Sequence, residues 1–192
     1  MGLGGLAFGP VHTTDLLMIK SIIASIALGT SVVMPQAAMA SEVSLINAQD
    51  STKIGVPTQL ASLVERAGVP VVDGTDFDNC NQAGYNVYGL YSGSHNAIVM
   101  CLNNIETAQQ YVNTYTHEAV HLVQDCRAGL DNHQFDSGKQ EYIDDLWAGL
   151  SAAKQDNIIN SYDHTEWNDE IEAFFWENSP EVVAKGVSKF CF

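Results

Sequence analysis

Two histidines four residues apart enclose a glutamate in the run Thr116-His117-Glu118-Ala119-Val120-His121. On a helix, residues four apart lie on one face about 6 Å apart along the axis, so both imidazoles can meet one ion. This H-E-x-x-H arrangement offers two nitrogen ligands to Zn²⁺ and, in Glu118, a general base for water that the ion polarises. Catalytic zinc takes three protein ligands and keeps one position open. A third histidine at H-x-x-G-x-x-H spacing is excluded, because the chain continues Leu122-Val123-Gln124-Asp125-Cys126-Arg127. The third ligand is therefore expected to be a carboxylate, and the best carboxylates lie in Asp169-Glu170-Ile171-Glu172-Ala173-Phe174. Peptide hydrolysis on such a centre also needs a donor to the tetrahedral oxyanion. Tyr162 and His164, just upstream of Glu170, are the first candidates, with His133 and Tyr142 behind them.

These side chains need elements to position them. Ile105, Ala108, Val112, Tyr115, Ala119, Leu122 and Cys126 recur at intervals of three and four, which predicts a long helix with a buried stripe. Asn103 or Asn104 is expected to cap it, and it ends near Arg127 and Gly129. Before it, Tyr85 to Tyr91 and Ala97 to Leu102 read as a hairpin turning at Ser92-Gly93-Ser94-His95-Asn96. Val69-Pro70-Val71-Val72 reads as a short buried strand, and a helix opens at Val56-Pro57-Thr58 and stops at Gly68. After the motif, helices are expected over Lys139 to Leu150, from a Ser151 cap to Tyr162, over Glu166 to Glu177, and from Pro180 onward. Residues 41–54 are mixed and weakly patterned and are expected to form an ordered or half-ordered lead-in.

His117-Glu118-Ala119-Val120-His121, followed on a later helix by Glu170-Ile171-Glu172-Ala173, resembles the gluzincin zinc metallopeptidases. In that group a glutamate on a second helix is the third ligand, with a small residue three places after it, and Glu170 with Ala173 matches. The hairpin leading into the metal helix is similar to the minimal gluzincin core, whose edge strand holds extended substrate above the zinc. The resemblance covers roughly residues 85–175 and implies a zincin-like α+β fold: a small antiparallel hairpin or sheet packed on a helical bundle that carries the H-E-x-x-H helix. Two departures stand out. Many gluzincins place an aspartate after the small residue to hold a zinc-bound histidine, whereas this chain has Phe174, so Asp169, Glu172 or Asp125 is expected in that role. The 49 residues from His121 to Glu170 exceed the thermolysin-group spacing, which keeps Glu172 open as the alternative ligand.

A chain of 192 residues with 46% hydrophobic content suits one globular domain. Its net charge of −15 reflects few cations rather than an acidic tail, and excludes a basic nucleic-acid footprint. Lys20, the apolar run Ile22 to Met34 and Ala38-Met39-Ala40 fit a signal peptide starting at Met18 and cleaved before Ser41. The run is short for a membrane span, so no stable anchor is expected. Residues 1–40 are thus read as an N-terminal extension with a cleaved signal, and residues 41–192 as the metallopeptidase domain. Export to a secreted or periplasmic location suits four cysteines in two disulfides, with Cys80–Cys101 and Cys126–Cys191 the preferred pairing. The reading is a monomeric, exported zinc endopeptidase acting on peptide or protein substrate. Its rivals are a zinc-binding module without turnover, a non-haem iron protein using two histidines and a carboxylate, and a disulfide-bonded binding domain without metal.

Overall fold

The computed structural model describes residues 44–84, 86–130 and 134–192. Residues 1–40, where a cleaved signal is expected, Tyr85 and His133 lie outside the described residues. The described chain is mostly helical, with seven α-helices and a three-stranded sheet.

Helix α1 (Ala48–Ile54) occupies the expected lead-in. Asn47 caps it by accepting from the Asp50 N–H at 3.0 Å. Seven residues give little periodic signal, and the helix is held by tertiary contacts such as Ser51 to the Tyr111 hydroxyl at 3.2 Å. Helix α2 (Thr58–Arg66) follows Pro57 and ends before Gly68, whose φ of +75° is cheap only without a Cβ.

Strands β1 (Val71–Asp73), β2 (Gly89–Ser92) and β3 (Ala97–Met100) form a sheet in the order β1-β3-β2. The expected β2–β3 hairpin is present and antiparallel, with Tyr91 opposite Ile98. The sheet is mixed rather than wholly antiparallel, because β1 pairs parallel to β3 with Val72 opposite Val99. The long connection through the Asp78–Asn81 turn permits this crossover, and the Cys80–Cys101 disulfide pins that turn to the sheet. All four residues of β3 are buried, as a central strand's should be, and β2 is left at the edge.

Helix α3 (Ala108–Ala128) carries the H-E-x-x-H run. It starts later than expected: Thr107 is the cap, accepting from the Gln110 N–H, while the Asn104 amide donates to the Cys80 and Val87 carbonyls. Those loop carbonyls compete for Asn104, and a 3₁₀ turn over Leu102–Asn104 replaces the first helical turn. Every residue from Tyr115 to Asp125 is buried, for α3 is covered by β2 and β3 and by two later helices.

Helices α4 (Gln140–Gly149), α5 (Ala152–Ser161), α6 (Trp167–Trp176) and α7 (Pro180–Phe190) complete the chain near their expected bounds. Ile143, Leu146, Leu150, Ile158 and Ile171 form a second core that seats α6 on α4 and α5. The main core joins α2, α3, α7 and the sheet through Leu60, Val64, Ile98, Tyr115, Leu122 and Val187. Cys126–Cys191 ties the end of α3 to the C-terminus, so both disulfides pair as expected and fit an oxidising environment. Among the described residues no helix is long and apolar enough to cross a membrane.

Candidate metal centre

His117 and His121 project from one face of α3 toward the first turns of α6. Their ring centroids are 5.1 Å apart, with the rings nearly perpendicular. Glu170, in the first turn of α6, places Oε2 3.3 Å from His117 Nε2 and Oε1 3.4 Å from His121 Nε2. Ligand atoms of the three side chains all lie within 4.8 Å of one another, and all three residues are buried. Two ligands of a tetrahedral ion at bond lengths near 2.1 Å are about 3.4 Å apart, so the Glu170 separations fit one cation between them.

The far sides of both rings are fixed. His121 Nδ1 lies 2.8 Å from Gln124 Oε1, and the Gln124 amide donates to the Asp169 carbonyl and to Glu172 Oε2. With its NH₂ committed to two acceptors, Gln124 presents only an acceptor to His121, which requires a proton on Nδ1. His117 Nδ1 faces Glu177 Oε2 at 3.4 Å, and Glu177 Oε1 is held by Lys154 at 2.9 Å. A carboxylate only accepts, so His117 too carries its proton on Nδ1. Both Nε2 lone pairs then face the Glu170 carboxylate, whose Oε2 is buried with no hydrogen-bond partner. Acceptors facing each other in a buried site call for a cation or added protons.

The electrostatics agree. Burial works against a charged His117, but Glu170 and Glu177 outweigh it and raise the ring to about 10. His121 is raised likewise, burial again opposing and Glu170 prevailing, and the two imidazoles hold the Glu170 carboxyl well below the usual range despite its own burial. A proton and a divalent ion thus compete for the same Nε2 positions.

Glu118 leaves α3 on the side facing the sheet. Burial pushes its carboxyl up, against the pull of His117, His121 and a hydrogen bond from the Tyr91 N–H. Cys101 donates to the Tyr88 carbonyl, so in the alternating ladder Gly89 and Tyr91 turn their backbone groups away from β3, toward α3. Tyr91 also donates from its hydroxyl to Asp125 Oδ2 at 2.9 Å. One residue of the edge strand thereby holds two carboxylates of α3 seven positions apart. Gly89 permits the approach, since a Cβ there would sit 2.6 Å from Thr114 Cγ2 and 3.2 Å from Glu118 Oε1.

The other sequence candidates separate clearly. Tyr162 reaches the cluster: its hydroxyl bonds to Glu170, and burial followed by the charges of Glu170 and Glu118 pushes it well above the normal phenol range. His164 does not. It is exposed, its Nδ1 lies 3.1 Å from Asp163, and the turn in which Asp163 accepts from Thr165 points it outward. Glu172 is not at the cluster either; residues two apart leave a helix on nearly opposite sides, and its oxygens take Arg127, Gln124 and Tyr142 instead. Tyr142 is correspondingly occupied by Glu172 and Trp176.

The groups that orient the histidines are also corrected. Asp125 serves Tyr91, Asp169 contributes its carbonyl to Gln124, and Glu172 acts only through Gln124; Glu177 and Gln124 contact the rings. Both lay within reach of sequence reasoning, because Gln124 is three residues after His121 and Glu177 is seven after Glu170, on the same helical faces. Lys154 and two aromatic covers, Phe135 stacked 5.5 Å from His121 and Phe174 edge-on 4.7 Å from His117, carried no such signal.

A family model described as a domain of unknown function, DUF8637, matches residues 55–192. No curated protein and no solved structure matches the chain.

Proposed function

For a chain that belongs to the DUF8637 family, we propose an exported zinc metallopeptidase of gluzincin type, with His117, His121 and Glu170 as ligands and Glu118 as general base. The observation that carries it is the buried Glu170 carboxylate, with Oε2 facing His117 Nε2 and without a hydrogen-bond partner, Oε1 facing His121 Nε2, and both rings locked from behind. An ammonium or a monovalent cation fits the triad poorly, whereas two imidazoles and a carboxylate are a usual donor set for catalytic zinc. The order of hairpin, H-E-x-x-H helix and glutamate-bearing helix supports the zincin-like reading of the fold.

Zinc held there would supply Lewis acidity toward a peptide carbonyl and lower the pKa of water. Glu118 accepts the proton of the attacking water and returns it to the leaving amine, a task suited to a carboxyl raised by burial. Tyr162, whose hydroxyl bonds to Glu170 and which burial keeps as a neutral phenol, is the donor that can turn from Glu170 to the developing oxyanion. Gln124 and Glu177 hold the rings in the ligating tautomer. The edge strand β2 runs beside Glu118, where the gluzincin resemblance puts an extended peptide. The protein acts as a monomer on peptide or protein substrate outside the cytosol, where its disulfides persist.

Purified protein is expected to carry about one zinc per chain, and Glu118→Gln to keep the metal while losing cleavage of a fluorogenic peptide library. Full activity in that variant ends the mechanism. A zinc module without turnover is the second reading, favoured by burial: none of His117, Glu118, His121 and Glu170 is more than 8% exposed. Zinc-loaded wild-type protein that cleaves no member of the library decides for it.

A further inference from the structure

A second face of α3, carrying Val120, Val123 and Arg127, borders a cavity of about 360 Å³ that α6 and α7 complete. Its deep walls are apolar: Val120, Val123 and Val183 are nearly fully buried, and Trp176 closes one side. Gly186 lets α7 come close, since a Cβ there would meet Val123 Cγ2 at 3.1 Å. The mouth is formed by exposed Val182 and Phe190 with Lys185 and Lys189, one helical turn apart.

The charge of this cavity runs against that of the molecule. The chain has eight Lys and Arg against 23 Asp and Glu, yet Arg127, Lys185 and Lys189 converge here with Glu172 as the one acidic lining residue. Arg127 donates to Glu172 from one terminal nitrogen, but its Nε is buried with no hydrogen-bond partner. The Nε is out of a ligand's reach, so Arg127 contributes positive charge to the cavity rather than a two-bond fork. Lys189 lies 4.5 Å from the Phe190 ring centroid and Arg127 5.5 Å from it, so both cations stand close to the aromatic lip.

We propose that this cavity binds a small amphipathic carboxylate, its head among Arg127, Lys185 and Lys189 and its hydrocarbon body against Val120, Val123 and Val183. The volume lies in the range of small-molecule sites, which combine apolar walls with a few placed polar groups. Elsewhere the acidic surface repels such a ligand, so the local cations select where it settles. The site is separate from the histidine cluster and stands whether or not that cluster is a peptidase centre.

Calorimetric titration of the full-length protein as purified tests this, with octanoate, 1-octanol and acetate as probes. Octanoate is expected to bind saturably at one site, and 1-octanol and acetate each at least about tenfold more weakly. Lys185→Gln/Lys189→Gln, both at exposed positions, weakens octanoate without moving 1-octanol; Val182→Trp, at the mouth, blocks octanoate. Equal affinity for octanoate and 1-octanol, or no saturable octanoate binding, overturns the proposal. So does octanoate binding that survives the lysine variants and disappears with a chelator, because that ligand then sits on the metal centre.

Discussion

Replacing Glu177 by Gln preserves length and leaves an oxygen to accept the His117 Nδ1 proton, but removes the negative charge behind that ring. The site is dry enough for the charge to matter, with side-chain exposures of 10% for His117 and 16% for Glu177. Lys154 keeps a partner in the Phe174 carbonyl, so the substitution strands no buried cation. Outer partners of metal-binding histidines are worth about 10- to 100-fold in affinity, or about 1.4–2.7 kcal/mol. Glu177→Gln is expected to fall within that window, and Glu177→Ala at its upper end because Nδ1 then loses its acceptor. Competition against a chromophoric chelator gives the zinc Kd, with circular dichroism confirming that the fold survives. Glu172→Gln serves as the comparison, since Glu172 reaches His121 only through Gln124, and a smaller loss is expected. A folded Glu177→Gln protein that binds zinc within twofold of wild type refutes the assigned role of Glu177.

Tyr162→Phe is expected to keep the metal and lower kcat about 10²-fold or more in a peptide-cleavage assay, the usual cost of an oxyanion donor, whereas His164→Ala leaves kcat unchanged. Gly89→Ala drives a methyl against Thr114 and Glu118; denaturant unfolding is expected to show a loss of about 1–3 kcal/mol, with cleavage reduced beyond any loss of folded protein. Removing zinc with a chelator is expected to lower Tm on the order of 10 °C, from about 4 kcal/mol of linkage when the ion stands at a thousand times its Kd. An unchanged Tm in scanning calorimetry would mean that the cluster holds no ion in the folded state.

Much of this architecture is written in local pattern. The long helix, its H-E-x-x-H face and the hairpin before it follow from periodicities of 3.6 and 2, which burial on one side enforces. Glu170 was preferred through the small residue Ala173 three places on, while spacing left Glu172 open; the packing of α6 turns only one of two carboxylates at i and i+2 toward the histidines, and it is Glu170. Other features depend on partners distant in sequence. Asn104 is a good cap by type, yet the Cys80 and Val87 carbonyls claim it. The parallel register of β1 on β3 is set by the crossover and by the disulfide that anchors it. Lys154 reaches Glu177 only because the second core fixes α5 against α6, a placement no spacing rule encodes.

The Cys126–Cys191 bridge closes a span of 65 residues that contains Glu170, Glu177, Lys154 and Tyr162, while both histidines precede it. Along the backbone His121 and Glu170 are 49 residues apart, but through the bridge the route is five residues to Cys126 and twenty-one back from Cys191. Loop-closure entropy makes the shorter route cheaper by about 0.5 kcal/mol, roughly a twofold to threefold rise in the carboxylate's effective concentration at the histidine pair. Oxidation would therefore make the still unfolded chain a better chelator of any ion the cluster takes up, and would favour forming the covalent link before that uptake.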